Sequence, residues 1–249
     1  MAVQKICKIL EREQLAPDVV SLTLEAGELA RSAKPGQFVN VKCGEGNLLR
    51  RPISICDAEG DSLRIVFQVK GEGTQWLSRR GKGHSVDVLG PLGHGYDYPE
   101  GKVLVVGGGI GVPPMLLAGK KAPGGAVAAL GFRNKDAVIL VEDFEQSGIP
   151  VKIASDDGSV GHHGFVDTLV REYLTGDKTI AAVFACGPRP MLKSVYAAAK
   201  EFDVPCFVSM EERMGCGVGA CLVCACSVGG HYRHVCKDGP VFNAEEVDW

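Results

Sequence analysis

The sequence predicts a multidomain β plus α/β protein: an antiparallel β-barrel, then a doubly wound parallel sheet, then a small cysteine-rich C-terminal subdomain. Three patterns carry that expectation. Residues 1–100 alternate short β-like runs with glycine and proline turns. From residue 101 to about 209 strand and helix signals alternate. Residues 210–249 hold a cluster of closely spaced cysteines. In the first segment the clearest strands are Val19 to Leu24, Gln37 to Lys42, Leu63 to Val69 and Ser85 to Leu89, with turn chemistry at Lys34-Pro35-Gly36 and Glu59-Gly60-Asp61. In the second, Lys102 to Val106 is an apolar strand followed by glycines and a helix. Ala126 to Gly131, Asp136 to Phe144, Val151 to Ala154, Phe165 to Tyr173, Ala181 to Cys186, Arg189 to Lys200 and Val204 to Ser209 continue the alternation.

The third segment is the most informative. Cys216, Cys221 and Cys224 follow C-x4-C-x2-C, and Cys236 completes the set. With eleven residues intervening between Cys224 and Cys236, so that the fourth cysteine lies twelve positions after the third, this is the spacing of a plant-type 2Fe–2S ligand set. One loop wrapped round a cluster can supply three thiolates, and a following hairpin must return the fourth. Gly215, Gly217 and Gly219 let the backbone bring its amides against the inorganic sulfides. The competing interpretation is a four-cysteine zinc site. Zinc knuckles pair two C-x2-C units, whereas here only Cys221 and Cys224 have that spacing. Cys226 reads as a buried neighbour on the strand leaving the loop.

Composition excludes several classes. A chain of 249 residues has room for two domains and an appendage. A net charge of −3 carries no nucleic-acid or polybasic membrane footprint. Cys7, Cys43, Cys56, Cys186 and Cys206 lie far apart, unlike a disulfide-stapled secreted domain. The N-terminal residues lack the apolar core of a signal peptide. The most apolar stretch, Val103 to Ala118, is broken by four glycines and two prolines and is too short to span a bilayer. A cytoplasmic protein in a reducing compartment is expected.

Four further motifs point to nucleotide chemistry. In Arg50-Arg51-Pro52-Ile53-Ser54 an arginine can fork onto a pyrophosphate and a serine hydroxyl can reach an isoalloxazine edge. Gly71-Glu72-Gly73-Thr74 places amides and a hydroxyl at a helix start, where a phosphate can dock. Gly107-Gly108-Gly109-Ile110-Gly111-Val112-Pro113-Pro114 lies between a strand and a helix, as a dinucleotide turn does. Cys186-Gly187-Pro188-Arg189-Pro190-Met191 ends a buried strand, where doubly wound sheets bind ligands. Cys186 there is a candidate to pack against a reacting nicotinamide. Ser155 to Ser159 fits either a nucleotide contact or an ordinary Asx turn.

In this order the motifs R-P-x-S, G-x-G-T, G-G-G-x-G-x-x-P and C-G-P-x-P-M resemble the ferredoxin–NADP reductase superfamily. With Cys216, Cys221, Cys224 and Cys236 after them, the whole chain resembles the electron-transfer subunits of class 1B, NAD-dependent dihydroorotate dehydrogenases. The resemblance implies that Arg51, Pro52, Ile53, Ser54, Gly73 and Thr74 contact FAD, with Val66, Phe67 and Gln68 along the flavin. It implies NAD contacts at Gly108, Gly109, Gly111, Pro113, Gly187 and Pro188, and a catalytic role beside the nicotinamide for Cys186. Gln68 stands where relatives often carry arginine, and Ile53 where the wider superfamily has a stacking tyrosine. The implied function is a relay in pyrimidine biosynthesis: electrons from the FMN of a dihydroorotate dehydrogenase catalytic subunit pass through the 2Fe–2S cluster to FAD and on to NAD⁺. The implied assembly is a heterotetramer of two catalytic and two electron-transfer subunits.

Other functions share much of this layout. The nearest is the reductase subunit of an NADH-dependent ferredoxin:NADP oxidoreductase or sulfide dehydrogenase, in some of which an aspartate replaces a cluster cysteine. A zinc-binding interaction module and a free-standing NADH oxidase are the more distant ones. Arg133 and Lys135 are two cations that could meet a 2′-phosphate, so the residues alone leave NAD against NADP open.

Overall fold

The computed structural model describes residues 2–249, which divide into two compact units. The first comprises residues up to Gly95 with Glu211–Cys226 and Tyr232–Pro240; the second comprises Tyr96–Met210, Ser227–His231 and Val241–Trp249.

The first unit is built on strands β1 (Val3–Ala16), β2 (Val19–Glu25), β3 (Phe38–Val41), β4 (Arg51–Glu59), β5 (Ser62–Gln68) and β6 (Ser85–Leu92), with short helices α1 (Glu28–Ser32) and α2 (Glu72–Ser78). The strands close a barrel in the order β1-β2-β5-β4-β3-β6, every pair antiparallel. Closure leaves no unpaired edge. Alternate residues of β2, β4 and β5 fill the interior, among them Leu22, Leu24, Ile55, Leu63 and Ile65, all fully buried. The sequence had shown β2, β3, β5 and β6 clearly. It had not shown the fourteen-residue β1, whose Lys5, Lys8, Glu11, Arg12 and Glu13 break up its apolar positions. Backbone pairing to β2 on one side and β6 on the other makes that strand.

The second unit contains β7 (Lys102–Gly108), α3 (Val112–Lys120), β8 (Ala126–Phe132), α4 (Val141–Gln146), β9 (Val151–Ser155), β10 (His162–His163), α5 (Val166–Gly176), β11 (Ile180–Cys186), α6 (Arg189–Lys200) and β12 (Cys206–Ser209). It also contains β15 (Val241–Asn243), whereas β13 (Ala225–Val228) and β14 (His231–His234), paired with each other, each fall partly in one unit and partly in the other. The main sheet runs β10-β9-β8-β7-β11-β12-β15 and is parallel except for β15, which lies antiparallel on β12. Val103 to Val106 are completely buried, as a central parallel strand covered on both faces requires. Pro113 and Pro114 open α3, where missing amide hydrogens cost nothing.

The region read as one element from Asp136 to Phe144 is a 3₁₀ turn at Lys135–Ala137 followed by α4. Asn134 caps the turn by accepting the Ala137 amide at 3.1 Å. The chain end is held within this unit: Trp249 stacks on Tyr196 at 6.1 Å, its indole donates to the Ala244 carbonyl at 3.0 Å, and Arg189 donates to the Asp248 carbonyl at 2.6 Å. Among the described residues no helix is long and apolar enough to cross a membrane.

An aromatic cluster anchors the core beside β11. Phe184, fully buried, stacks on Tyr96 at 4.3 Å and meets Tyr98 and Phe207 edge-on at 5.2 and 5.8 Å. The Tyr96 and Tyr98 hydroxyls donate to the carbonyls of Ala185 and Ala118, so neither is buried unpaired. Phe184→Ala leaves a cavity shared by three rings. It is expected to cost about 3–5 kcal/mol, read as a lower melting temperature in thermal unfolding.

Candidate functional site

Three groups of predicted residues are assembled within single units. The first is the cysteine quartet, all of it in the barrel unit. Cys216, Cys221 and Cys224 lie on the loop between β12 and β13, and Cys236 follows β14. Six backbone amides point at their sulfurs. Val218, Ala220 and Cys221 donate to Cys216 Sγ at 3.4, 3.2 and 3.4 Å, and Cys216 N–H donates to Cys221 Sγ at 3.3 Å. Gly219 donates to Cys236 Sγ at 3.1 Å and Cys236 to Cys224 Sγ at 3.4 Å. Gly217 and Gly219 turn these amides inward with φ of 75° and 81°, a region that disfavours a Cβ.

The electrostatics of the four thiols are uneven. Burial raises the Cys216 thiol, but the amides of Val218 and Cys221, the hydrogen bond with the Cys221 thiol and the Ala220 amide outweigh it and bring the pKa down to about 6. Burial and the hydrogen bond shared with Cys224 push Cys236 up to about 12, against the Gly219 amide. Thiolates so close together, with Cys224 and Cys236 buried, need a cationic centre between them. A 2Fe–2S core supplies that charge, and amides aimed at sulfur are what such a cluster uses. The residues therefore fit the cluster. Among the described residues no three His, Cys, Asp or Glu side chains are drawn together to hold one metal ion. Around the loop, Val218, Leu222 and Val223 are half exposed or more, and Cys221 is exposed beside them.

The second group lies on β4, β5 and α2. Arg51 and Gly73, from two separate motifs, are in contact: a Cβ on Gly73 would run into the Arg51 guanidinium. The Arg51 guanidinium also donates to Asn47 Oδ1 at 2.7 Å and to the Leu49 carbonyl. This leaves a fork held beside a helix start, a geometry that suits a pyrophosphate. The Thr74 hydroxyl is engaged locally, accepting the amides of Lys70 and Gly71 and donating to the Gly71 carbonyl. Pro52 is exposed, Ser54 half-buried and Ile53 buried in the barrel wall. Val66 and Phe67 are buried too, while the Gln68 amide donates to the Asp18 carboxylate.

The third group sits where β7 and β11 end side by side, Gly107 paired with Cys186. The two glycine turns interlock. A Cβ on Gly111 would strike the Cys186 carbonyl, and one on Gly108 would strike Met191 Sδ. Beside them opens a cavity of about 500 Å³, the size of a cofactor pocket. Its walls include Gly108, Gly109, Pro188 and Met191 on one side and Arg133, Asp156 and Phe165 on another. Of the predicted nucleotide contacts, Gly108, Gly109 and Pro188 face this cavity. Gly111 and Pro113 are buried behind it, and Cys186 is 2% exposed at the strand end. Phe165, 71% exposed at the start of α5, carried no motif signal, because an aromatic before a helix reads as core.

Comparison with known proteins gives a consistent set. Residues 211–248 match the family described as the iron–sulfur cluster binding domain of dihydroorotate dehydrogenase B. The chain is 41% identical, over 96% of both proteins, to the dihydroorotate dehydrogenase B (NAD(+)) electron transfer subunit of Caldanaerobacter subterraneus subsp. tengcongensis. It is 42% identical, again over 96% of both, to the subunit of that name in Geobacillus thermodenitrificans. Among solved structures, a chain of the NADH-dependent reduced ferredoxin-NADP oxidoreductase superposes with a TM-score of 0.87 at 34% identity, over 98% of this chain and 90% of that one. The ferredoxin reductase of carbazole 1,9a-dioxygenase shares the fold, with a TM-score of 0.68 at 19% identity over 82% and 67%.

Two outcomes follow from this geometry. Gly111→Ala forces the two turns apart and is expected to weaken NAD(H) binding about 10-fold or more, measured by titration, with FAD and iron content unchanged. In cluster-free protein at pH 7, Cys216 is above its pKa of about 6 and Cys236 far below its own of about 12. Iodoacetamide followed by peptide mass mapping should therefore label Cys216 and spare Cys236.

Proposed function

The chain belongs to the family of dihydroorotate dehydrogenase B (NAD(+)) electron transfer subunits, and on that footing we propose that it relays electrons from the FMN of a dihydroorotate dehydrogenase catalytic subunit to NAD⁺ in pyrimidine biosynthesis. The observation that carries the proposal is the quartet Cys216, Cys221, Cys224 and Cys236 with six amides directed at its sulfurs. When bound, FAD exchanges a hydride with nicotinamide and single electrons with a 2Fe–2S cluster, which joins a two-electron carrier to one-electron carriers.

The chain's own residues supply holding and insulation. The four cysteines would hold the cluster, and the glycine-turned amides favour their thiolate form. Arg51, kept in place by Asn47 and by the absent side chain of Gly73, would hold the FAD pyrophosphate, with Pro52, Ile53 and Ser54 along the flavin. Gly108, Gly109 and Pro188 would receive the NAD pyrophosphate at the strand ends, with Gly111 and Pro113 shaping the turn behind them. Cys186 would close off the nicotinamide side of that strand end, next to Gly187. Gln68, being neutral and engaged with Asp18, would contribute a weaker flavin contact than an arginine.

The apolar rim Val218, Leu222 and Val223 is the surface through which the catalytic subunit would dock, since it excludes water round the exposed Cys221. The proposed assembly is a heterotetramer of two catalytic and two electron-transfer subunits, in the cytoplasm. The 34% identity to a chain of the ferredoxin-NADP oxidoreductase supports a second assignment, a reductase subunit with a different large partner.

The test is reconstitution with an FMN-bearing catalytic subunit, assayed anaerobically for dihydroorotate-dependent reduction of NAD⁺. Cys221→Ser should retain FAD and NAD(H) binding and reduce that activity to the level seen without this chain. Undiminished activity in the variant would overturn the relay order. A wild-type protein that is inert with dihydroorotate but active with reduced ferredoxin would move the chain to the second assignment.

A further inference from the structure

β3 has the sequence Phe38-Val39-Asn40-Val41, and all four residues are buried. Asn40 is the anomaly: an amide 1% exposed in an otherwise apolar strand. Its Nδ2 donates to the carbonyl of Cys216 at 3.2 Å. Gly217 lies so close on the same amide that a Cβ there would overlap Nδ2. Among the described residues, Asn40 Oδ1 is a buried side-chain oxygen with no hydrogen-bond partner. In the sheet Asn40 stands directly opposite Pro52 of β4, and side chains so paired share a face. Behind it, Arg50 Nη1 reaches the Asn40 carbonyl at 3.4 Å, and Arg50 is itself clamped on Asp87 by bonds of 3.1 and 2.8 Å.

We propose that Asn40 is a positioning residue for the 2Fe–2S cluster, pinning the Cys216–Gly217 peptide to the strand paired with the flavin motif and so setting the cluster's place and potential. The proposal rests on the assignment of the cysteine quartet as a 2Fe–2S ligand set. Barrel stability does not account for this residue. An amide with an unmet acceptor is a net cost at a buried position, and an isosteric leucine would fill the space without it. What the amide provides instead is a fixed origin for the loop. The amides of Val218, Ala220 and Cys221, which reach Cys216 Sγ, all follow the pinned peptide within five residues. These bonds stabilise the more negative, reduced state of a cluster. Releasing the peptide therefore lengthens them and makes the cluster harder to reduce.

The experiment compares wild type, Asn40→Leu and Asn40→Asp as purified holoproteins, in anaerobic redox titrations followed by EPR for the cluster and by absorbance for FAD. Leucine keeps the volume and removes the donor; aspartate keeps the shape and turns the donor into an acceptor. Both variants are expected to retain FAD with its potential unmoved. Their cluster potential should fall by on the order of a tenfold change in the reduction equilibrium, about 59 mV for one electron, with an altered EPR line shape. A variant that keeps FAD but fails to hold the cluster also supports the proposal. Variants with wild-type cluster potentials and line shapes overturn it. Loss of FAD together with the cluster also overturns it, showing a structural role in the barrel. A wild-type holoprotein without the EPR signal of a reduced 2Fe–2S cluster would overturn the cluster assignment itself, and this proposal with it.

Discussion

Negative charge gathered on four cysteine sulfurs is what the C-terminal part of this chain is built to accommodate. Left alone, thiols so close together would hold on to their protons, as Cys236 does. The loop answers with backbone N–H groups, which stabilise charge without bringing in a cationic side chain. Glycine at 217 and 219 is what lets consecutive amides turn the same way. Cys216 shows the result, since three amides together with the Cys221 thiol overcome its burial. The rest of the barrel unit holds this loop still, with Asn40 of β3 beneath it and Lys237 packed where Gly219 has no side chain.

The α/β unit solves a different problem with the same residue type. The turns after β7 and β11 come close at the ends of two neighbouring strands, which would let the proposed dinucleotide approach the backbone of both. Gly108 and Gly111 on one turn and Gly187 on the other have no Cβ where the opposing chain passes. The prolines at the start of α3 tighten the first turn from behind. Beside these turns lies the cavity, and its polar walls come from elements far off in sequence, Arg133 after β8 and Asp156 after β9. Together they place opposite charges at the same pocket.

Several features were legible in the residues because they depend on spacing along one segment. The C-x4-C-x2-C loop needs its first three ligands at fixed separations, so the cluster loop could be read directly. The parallel sheet could be read because strands buried on both faces are continuous apolar runs, as Val103 to Val106 are. The motifs Arg51 to Ser54 and Gly71 to Thr74 were visible separately. Only the fold shows that Gly73 is small because Arg51 lies against it. The charged β1 was missed for a related reason: its pairing partners, not its own pattern, make it a strand.

The sequence by itself determined the cysteine spacing, the glycine turns and the alternation of strand and helix, since local backbone geometry and burial periodicity are written in neighbouring residues. Tertiary structure alone decided that Cys236 returns to receive the Gly219 amide, that Gln68 turns to Asp18, and that Asn40 meets Cys216 across 176 positions. Those are contacts between residues distant in the chain, brought together as the strands pair. Register is set by the whole barrel closing on itself, which no single segment encodes.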